Sequence, residues 1–238
     1  MKALIFDCDG VLVDTEKDGH RVAFNQTFSE FGLDDQWDVA YYGELLQIAG
    51  GKERMRHHFE THGWPSAAGD DHDAFIASLH AKKTAAFTDL IASGSLPLRP
   101  GVQRIVDEAI AAGVRLGVCT TSNPKAIDGV LDLLGPERKA KFEFVLAGDV
   151  VSKKKPDPEI YELAKQKLGL PVNECCVIED SRNGMLAALG AELPVLITTS
   201  TYTVDEDFTG AVGIVPELGD PPNINITLDR LAELAQNR

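Results

Sequence analysis

Three observations predict a Rossmann-like α/β fold, a parallel sheet covered by helices, into which an all-helical domain is inserted. Residues 4–6 form a short apolar run that stops at Asp7, as a buried parallel strand does where its carboxyl end forms a polar site. From residue 98 onward, short apolar runs alternate with amphipathic segments, which is typical of β-α-β units. Between residues 15 and 97, apolar residues recur at helical spacing without a strand signal. We therefore predict an α/β core of residues 1–14 and 98–238 and a helical cap of residues 15–97.

The individual elements follow from apolar periodicity and from residues that start or end helices. In the cap, apolar residues along 18–32 predict a helix that ends at Gly32, and the pair Gly50 and Gly51 separates the next two helices. In the core, Pro124 lies in the first turn of a predicted helix. The predicted strands are residues 4–6, 114–119, 144–146, 175–178, 195–198 and 211–215, and the predicted helices are 18–32, 45–50, 52–62, 70–91, 102–112, 124–134, 158–168, 183–189 and a last one beyond residue 226.

Composition and charge exclude several classes of function. The chain is 44% apolar and 25% charged, as an ordinary soluble globular protein is, and we expect neither a membrane-spanning run nor a signal peptide. A net charge of −14 argues against nucleic acid and anionic membranes as partners, since both require a cationic surface. A local basic pocket would still admit an anionic small molecule. The cysteines lie in or beside apolar segments, and we predict buried free thiols at Cys8, Cys119, Cys175 and Cys176.

Asp7 and Asp9 directly follow the first predicted strand. Side chains two residues apart lie on the same side of a strand, so both carboxylates can face one reaction centre while Cys8 points into the core. Two carboxylates at close range repel each other, and Mg²⁺, which takes oxygen ligands, would relieve that repulsion. The pair alone is also compatible with a polar strand end that caps a turn.

Polar residues also follow three other predicted strands, at the edge where a parallel sheet binds ligands. Hydroxyl and amide groups occupy residues 120–123, three lysines occupy residues 153–155, and Glu179 precedes Asp180. Taken singly, the first group is compatible with a helix cap, the second with a solvated charge run and the third with a turn. Together they place a carboxylate nucleophile, an acid, a hydroxyl and an ammonium group at one edge of one sheet. This combination predicts phosphoryl transfer.

Four motifs, DCDGVLVDT, VCTTSN, KKKPDP and IEDSRNG, resemble those of the haloacid dehalogenase (HAD) superfamily, in its phosphatase and phosphomutase branch with a helical cap after the first motif. The cap segments TEKDGHRVAFNQTF, YGELL, GGKERM and LHAKKT resemble the plant-type CbbY group. The resemblance implies a xylulose-1,5-bisphosphate phosphatase, which removes an inhibitory sugar bisphosphate of Rubisco in carbon fixation, the Calvin cycle. It also implies a functional link to Rubisco without direct contact. The implied location is the chloroplast stroma after removal of a transit peptide, or a bacterial cytoplasm.

The resemblance assigns chemical roles to four acidic residues. Asp7 is implied as the nucleophile that forms an aspartyl phosphate, a role that suits a carboxylate because it is ionised at neutral pH. Asp9 is implied as the acid that protonates the leaving sugar oxygen and later activates water. Mg²⁺ is the implied cofactor, held by Asp7, by the backbone carbonyl of Asp9 and by Asp180. Glu179 is implied in a supporting or ligating role.

The resemblance also implies substrate contacts in both predicted domains. Thr120 and Lys155 would bind the transferring phosphoryl oxygens, and Lys155 is chosen over its two lysine neighbours because it immediately precedes Pro156. Residues implied to contact the substrate are Thr121, Ser122, Asn123 and Glu179 in the core and Glu16, His20, Gly50, Gly51, Lys52, Arg54, His80 and Lys83 in the cap. The resemblance also implies the plant-type spacing, with one more residue between Glu16 and His20 than in bacterial relatives. A solvated helical face is the alternative for each of these cap residues.

Three rival functions remain to be weighed against this interpretation. A sugar phosphomutase of the β-phosphoglucomutase kind shares the core motifs and returns the phosphoryl group to the sugar, but the segment GGKERM favours the phosphatase. A catalytically silent binding module would not need the complete set of catalytic and metal-binding residues. The dehalogenase branch is disfavoured, because its chemistry needs neither Mg²⁺ nor an acid at Asp9. The sequence therefore predicts Mg²⁺-dependent hydrolysis of a phosphate ester on a sugar bisphosphate.

Overall fold

The computed structural model describes residues 1–48 and 50–236 of the chain. In these ranges the strands are β1 Ala3–Phe6, β2 Arg115–Cys119, β3 Phe142–Leu146, β4 Cys175–Glu179, β5 Val195–Thr198 and β6 Gly213–Val215. The helices are α1 Arg21–Glu30, α2 Val39–Leu45, α3 Gly51–His62, α4 His72–Ala92, α5 Val102–Ala111, α6 Pro124–Asp132, α7 Pro136–Lys139, α8 Glu159–Leu168, α9 Arg182–Gly190 and α10 Leu228–Gln236. A π-helical segment, Thr15–His20, precedes α1, and short 3₁₀ turns occur at Ser66–Ala68 and Val172–Glu174.

The chain divides into two compact units. The core unit combines Met1–Asp14 with the chain from Leu96 onward, and the helical unit is Thr15–Ser95. All six of the strands above belong to the core unit, together with α5 to α10. The helical unit contains α1 to α4, and its described residues form no strand.

The core sheet has the strand order β3-β2-β1-β4-β5-β6, and each neighbouring pair is parallel. This confirms the predicted Rossmann-like sheet. Because alternate side chains point to opposite faces, Leu4 and Phe6 pack with residues of α5, α6 and α10, whereas Ala3 and Ile5 pack with residues of α8 and α9. Helices therefore cover both faces, as an all-parallel sheet requires. The residues that follow β1 emerge between the ends of β2 and β4.

The helical unit is built on a core of aromatic side chains. Phe24 and Phe28 from α1, Trp37, Tyr42 from α2 and Phe59 from α3 are all fully buried. The ring of Trp37 lies 4.6 Å from that of Phe24 and 5.0 Å from that of Phe28, measured between centroids. Large rings in tilted and edge-on contact bury much apolar surface for few residues, so this small unit has a hydrophobic core of its own.

The predicted helix over residues 45–50 is wrong for residues 46–48 and 50, and residue 49 lies outside the described residues. The helix α2 ends at Leu45 and begins after Asp38, whose side chain accepts a hydrogen bond from the Tyr41 backbone N–H at 2.8 Å. A carboxylate at this position satisfies a backbone donor that the first turn leaves unpaired, so the helix starts upstream of the apolar pair on which the prediction relied. The glycine break is present, since Gly50 has a φ of 95° and α3 begins at Gly51.

All four cysteines are free and buried, as the sequence predicts. Cys8 packs in the same cluster as Leu4 and Phe6, and burial raises the pKa of its thiol. No helix in the described ranges combines the length and the apolar character needed to cross a membrane.

Candidate active site

Three buried carboxylates meet at the carboxyl ends of β1 and β4. Asp7 follows the last residue of β1, Glu179 is the last residue of β4, and Asp180 comes next. The two strands are parallel neighbours, and the Asp7 N–H donates to the carbonyl of Ile178 at 2.9 Å. One oxygen from each carboxylate lies within 4.8 Å of the other two, and no second cluster of this kind occurs in the described ranges. The fold therefore concentrates negative charge at one point of the sheet edge.

Lys155 brings a cation to these carboxylates. Its Nζ donates to Asp7 Oδ1 at 2.6 Å, to Glu179 Oε1 at 2.5 Å and to the backbone carbonyl of Cys119 at 2.9 Å. The side chain is only 9% exposed. Its two lysine neighbours instead form exposed ion pairs with aspartates of their own loop. Of the three consecutive lysines, Lys155 is the one that the fold brings to the carboxylates.

Burial dominates the electrostatics of this cluster. Burial raises the pKa of Asp7 well above its usual value, with Lys155 opposing the rise and the neighbouring carboxylates adding to it. Burial also raises the pKa of Asp180 to about 8, Glu179 adds to this rise, and a hydrogen bond from Ser200 opposes it. Burial lowers the pKa of Lys155, but Asp7 and Glu179 outweigh burial and the net pKa is raised. A further cation would favour the ionised forms of Asp7 and Asp180, whose pKa values burial raises.

Asp9 and the residues after β2 form a second polar group. The Ser122 hydroxyl donates to Asp9 Oδ2, and Thr120 Oγ1 accepts from the Ser122 backbone N–H at 3.1 Å. Thr120 is buried, whereas Thr121 is exposed. The side chain of Asn123 accepts a backbone N–H at 2.9 Å at the start of α6. The helix-cap alternative therefore describes Asn123, while Ser122 contacts both Asp9 and Thr120.

Glu179 lies beneath the surface of the site. Its carboxylate is 1% exposed, and its Oε1 accepts from both Lys155 and the Tyr161 hydroxyl. That Glu179 contacts the substrate stays a prediction; the residue ends β4 and its side chain is buried. A supporting role, holding Lys155 in place, fits this geometry.

Two glycines leave room for these carboxylates. A Cβ at Gly10, where φ is 82°, would overlap the carboxylate of Asp180. A Cβ at Gly184, in α9, would overlap the carboxylate of Glu179. Gly10 must be glycine both because a Cβ would meet Asp180 and because few other residues adopt its positive φ. Both glycines thus permit the close approach of the acidic residues.

Tyr161 and Arg99, which the sequence analysis did not identify, form hydrogen bonds that hold the site in place. Tyr161, fully buried on α8, donates its hydroxyl to Glu179. Arg99 donates to the backbone carbonyls of Gly10 and Thr198, and so connects the loop after β1 to the end of β5. In the sequence, Tyr161 occupies an apolar position of an amphipathic helix and Arg99 lies between two predicted elements. Neither position carries a sequence signal of function.

The helical unit contains a polar cluster of its own, formed by Glu16, His20, Tyr42, Arg54 and Lys83. The Tyr42 hydroxyl donates to Glu16 Oε2 at 2.6 Å and lies 3.4 Å from Arg54 Nη1. Lys83 Nζ donates to His20 Nδ1 at 2.8 Å. Burial lowers the pKa of His20 to about 3, with Lys83 adding to this, and burial lowers the pKa of Lys83 to about 8, with Glu16 opposing. The fold thus gathers four of the predicted cap residues, with Tyr42 in contact with Glu16 and Arg54.

Glu16 and His20 both lie in a π-helix, Thr15–His20. Each hydrogen bond of a π-helix spans one residue more than that of an α-helix. From this segment Glu16 contacts Tyr42 and His20 contacts Lys83.

The remaining predicted residues of the helical unit lie near the start of α3. Gly51 is the first residue of α3, and a Cβ there would lie 3.2 Å from Phe24 and 3.3 Å from His80. Burial lowers the pKa of His80, and the nearby Lys83 and Lys52 add to this. Lys52 is exposed. Gly51 therefore allows α3 to begin close against His80.

A family model for haloacid dehalogenase-like hydrolases matches residues 1–192 of the chain. The chain belongs to the haloacid dehalogenase-like hydrolases. Among members of this family, it is 54% identical over 224 residues to a CBBY-like protein of Arabidopsis thaliana, a match that covers 92% of this chain and 70% of that protein. It is 40% identical over 222 residues to the plasmid CbbY protein of Cupriavidus necator, covering 93% and 87% of the two chains. The chain is thus a CbbY-like hydrolase of the phosphatase class.

Two solved structures of a CbbY protein are similar to this chain over nearly its whole length. CbbY from Rhodobacter sphaeroides in complex with phosphate is 38% identical, with a TM-score of 0.71 and coverage of 97% of this chain and 99% of that one. A variant of that protein in complex with xylulose-(1,5)bisphosphate is 37% identical, with the same TM-score and coverage. Both likenesses span the core unit and the helical unit.

Proposed function

We propose that this CbbY-like phosphatase hydrolyses a sugar bisphosphate by transferring one phosphoryl group to Asp7. The observation that carries the proposal is the Lys155 ammonium bonded to Asp7 Oδ1 at 2.6 Å, beside two further buried carboxylates. A nucleophilic carboxylate must be ionised, and burial alone would protonate it. Lys155 opposes that protonation and provides positive charge for the oxygens of a transferring phosphoryl group.

The carboxylate cluster fits a divalent metal ion. Asp7, Glu179 and Asp180 offer hard oxygen donors within 4.8 Å of one another, and Mg²⁺ is commonly held by one or two carboxylates together with substrate phosphate. The side chains of Asp7 and Asp180 and the backbone carbonyl of Asp9 would hold it. When bound, Mg²⁺ would favour the ionised carboxylates of Asp7 and Asp180, whose pKa values burial raises, and would neutralise the phosphoryl oxygens.

Two steps complete the proposed reaction. In the first, an Asp7 oxygen attacks phosphorus, the bond from phosphorus to the sugar oxygen breaks, and Asp9 protonates the leaving oxygen. In the second, Asp9 takes a proton from water, the water oxygen attacks the phosphorus of the aspartyl phosphate, and inorganic phosphate leaves Asp7 free again. Thr120 would orient phosphoryl oxygens, and Ser122, bonded to Asp9, would orient the acid.

For the substrate, we favour xylulose 1,5-bisphosphate. A variant of the relative from Rhodobacter sphaeroides forms a complex with that compound, and the likeness to it covers 97% of this chain. A bisphosphate carries a second phosphate, and the polar cluster of the helical unit contains Arg54 and Lys83 in a protein whose net charge is −14. Cations are needed there because the overall charge would otherwise repel the ligand. On this proposal Arg54, Lys52 and Lys83 bind the distal phosphate and Glu16 binds sugar hydroxyl groups.

Removal of an inhibitory sugar bisphosphate would link the enzyme functionally to Rubisco, without direct contact between the two proteins. The proposed location remains the chloroplast stroma or a bacterial cytoplasm.

A panel of sugar monophosphates and bisphosphates, assayed for phosphate release with Mg²⁺ and with EDTA, tests the proposal. We expect release of one phosphate from xylulose 1,5-bisphosphate, dependence on Mg²⁺, and slower reaction with monophosphates. Rearrangement of a sugar phosphate without release of phosphate would identify a phosphomutase instead. Equal rates on all esters would refute the bisphosphate assignment, and the absence of any turnover would refute the enzymatic mechanism.

A further inference from the structure

Tyr42 joins Glu16 and Arg54 in the polar cluster of the helical unit, although nothing in the sequence singled it out as a site residue. Its side chain is fully buried. Its hydroxyl lies 2.6 Å from Glu16 Oε2 and 3.4 Å from Arg54 Nη1, and the Arg54 guanidinium carbon lies 5.9 Å from the centre of its ring. Tyr42 therefore contacts two of the residues that the proposed function assigns to substrate binding.

The chemistry of the three groups fixes the direction of both hydrogen bonds. A guanidinium has only donors, so the hydroxyl oxygen must accept from Arg54. The single hydroxyl proton then goes to the Glu16 carboxylate, which can only accept. One hydroxyl thus orients an anion and a cation at the same time. Arg54 is also held on its other edge, because its Nε donates to the carbonyl of Ile48 at 2.9 Å.

We propose that Tyr42 is a positioning residue for substrate selection, whose hydroxyl holds Glu16 and Arg54 in the relative orientation needed to bind a sugar hydroxyl group and a distal phosphate together. The inference rests on the proposed sugar-bisphosphate reaction. A carboxylate with one oxygen bonded to Tyr42 presents its other oxygen in a fixed direction. A guanidinium fixed at two N–H groups loses less rotational freedom when it binds a phosphate.

The ring and the hydroxyl of Tyr42 have separable functions. The ring packs 6.0 Å from that of Phe24 and 5.9 Å from that of Trp37, between centroids, and a phenylalanine ring can keep these contacts. The substitution Tyr42→Phe removes only the hydroxyl. A matched control lies next to it, since the Tyr41 hydroxyl contacts His58 Nδ1 at 2.9 Å and Tyr41→Phe also removes one hydrogen-bonded hydroxyl from α2.

The first test compares the two variants on xylulose 1,5-bisphosphate and on para-nitrophenyl phosphate, with Mg²⁺. A hydrogen bond to a charged group corresponds to roughly a tenfold effect or more, so we expect Tyr42→Phe to lower kcat/KM for the bisphosphate by about ten- to fiftyfold. The loss for the aryl phosphate should be at least about fivefold smaller, so the ratio of the two values falls. Tyr41→Phe should change this ratio by less than about threefold.

The second test is a double-mutant cycle of Tyr42→Phe and Glu16→Gln on the bisphosphate. If Tyr42 acts through Glu16, the double variant should lose less activity than the product of the two single losses. The inference would be overturned if the losses of kcat/KM in the two single variants multiply in the double variant. It would also be overturned if Tyr42→Phe lowers kcat/KM equally for both substrates, or if Tyr41→Phe changes the ratio of the two values as much as Tyr42→Phe does. Urea unfolding of every variant separates these outcomes from loss of folded protein.

Failure of the role of Tyr42 can be distinguished from failure of the proposed function. If the wild-type enzyme hydrolyses some other phosphate ester best, the bisphosphate assignment fails, and the same cycle on that ester decides the role of Tyr42. If the bisphosphate is the best substrate and the cycle shows independent effects, the proposed function stands and the role of Tyr42 is refuted.

Discussion

Replacing Lys155 by methionine should remove the cation that stabilises the buried carboxylates while keeping the length of the side chain. Lys155 is 9% exposed and donates to Asp7 and Glu179, which are themselves buried. Removing one partner of a buried ion pair leaves uncompensated charge and costs about 3–5 kcal/mol. We therefore expect the free energy of unfolding at pH 8, without Mg²⁺, to fall by about 3 kcal/mol or more. Catalysis should be lost as well.

Lys154→Met is the matched control for this change. The Lys154 side chain is 40% exposed and pairs with Asp149, which is 99% exposed. Exposed ion pairs of this kind contribute about 0–1 kcal/mol, so Lys154→Met should leave the stability nearly unchanged. The two lysines are adjacent in the sequence, and the comparison therefore isolates the effect of burial.

The pH dependence of the Lys155→Met effect has a defined sign. Burial already raises the pKa values of Asp7 and Asp180, and loss of the nearby ammonium raises them further. The folded variant then binds more protons than the unfolded chain between the ordinary carboxyl pKa and the raised ones, so its stability falls as pH rises through that window. Urea unfolding at pH 5.5 and pH 8 should show the larger deficit at pH 8. A deficit below about 1 kcal/mol at both pH values, or one equal to that of Lys154→Met, would refute the role assigned to Lys155.

Two further predictions concern the helical unit. Arg54→Ala should lower kcat/KM for xylulose 1,5-bisphosphate by roughly ten- to a thousandfold, on the scale of about 1.5–4 kcal/mol for lost charge-assisted contacts. The loss for an aryl phosphate should be much smaller. Equal losses on the two substrates would argue against binding of the distal phosphate by Arg54. Burial lowers the pKa of Lys83 from 10.5 to about 8, so Lys83→Met should raise stability at pH 7 by about 1–2 kcal/mol, after allowance for the lost hydrogen bond to His20. The gain should shrink as pH rises from 8 toward 10.5, because the wild-type folded state deprotonates first; a urea-unfolding difference that is constant over this range would contradict the assignment.

Much of the core fold could be predicted because its strands are short, apolar and bounded by polar turns. All six predicted strands are present, with ends displaced by a few residues. The strand order could not be predicted, since β1 pairs with β2 and β4 through contacts far apart in the chain. The helix α7, Pro136–Lys139, was missed because four residues are too few to show an apolar period. The position of α2 was wrong because a polar cap, Asp38, sets its start.

Site residues could be predicted where a motif contains a residue type with known chemistry. Their contacts could not be predicted where the folded chain brings together residues that are distant in the sequence. Lys155 could be chosen from its neighbour in the motif, but its bonds to Asp7, Cys119 and Glu179 join segments that only the folded sheet brings together. Tyr161 contacts Glu179 from an apolar helix position. The inward direction of the Glu179 side chain depends on the register of β4, which a sequence motif does not specify.

The central claim is that Asp7 carries the phosphoryl group, and detection of phosphorylated Asp7 tests it most directly. The variant Asp9→Asn, mixed with para-nitrophenyl phosphate and Mg²⁺, should accept the phosphoryl group because this leaving group needs little protonation, but should hydrolyse it slowly because Asp9 no longer activates water. Mass spectrometry of the acid-quenched, digested protein should then find a phosphorylated peptide with the modification at Asp7. The same peptide should be unmodified when Asp7→Asn is added to the variant. Release of para-nitrophenol by Asp9→Asn with an unmodified Asp7 peptide at every time point would contradict the account.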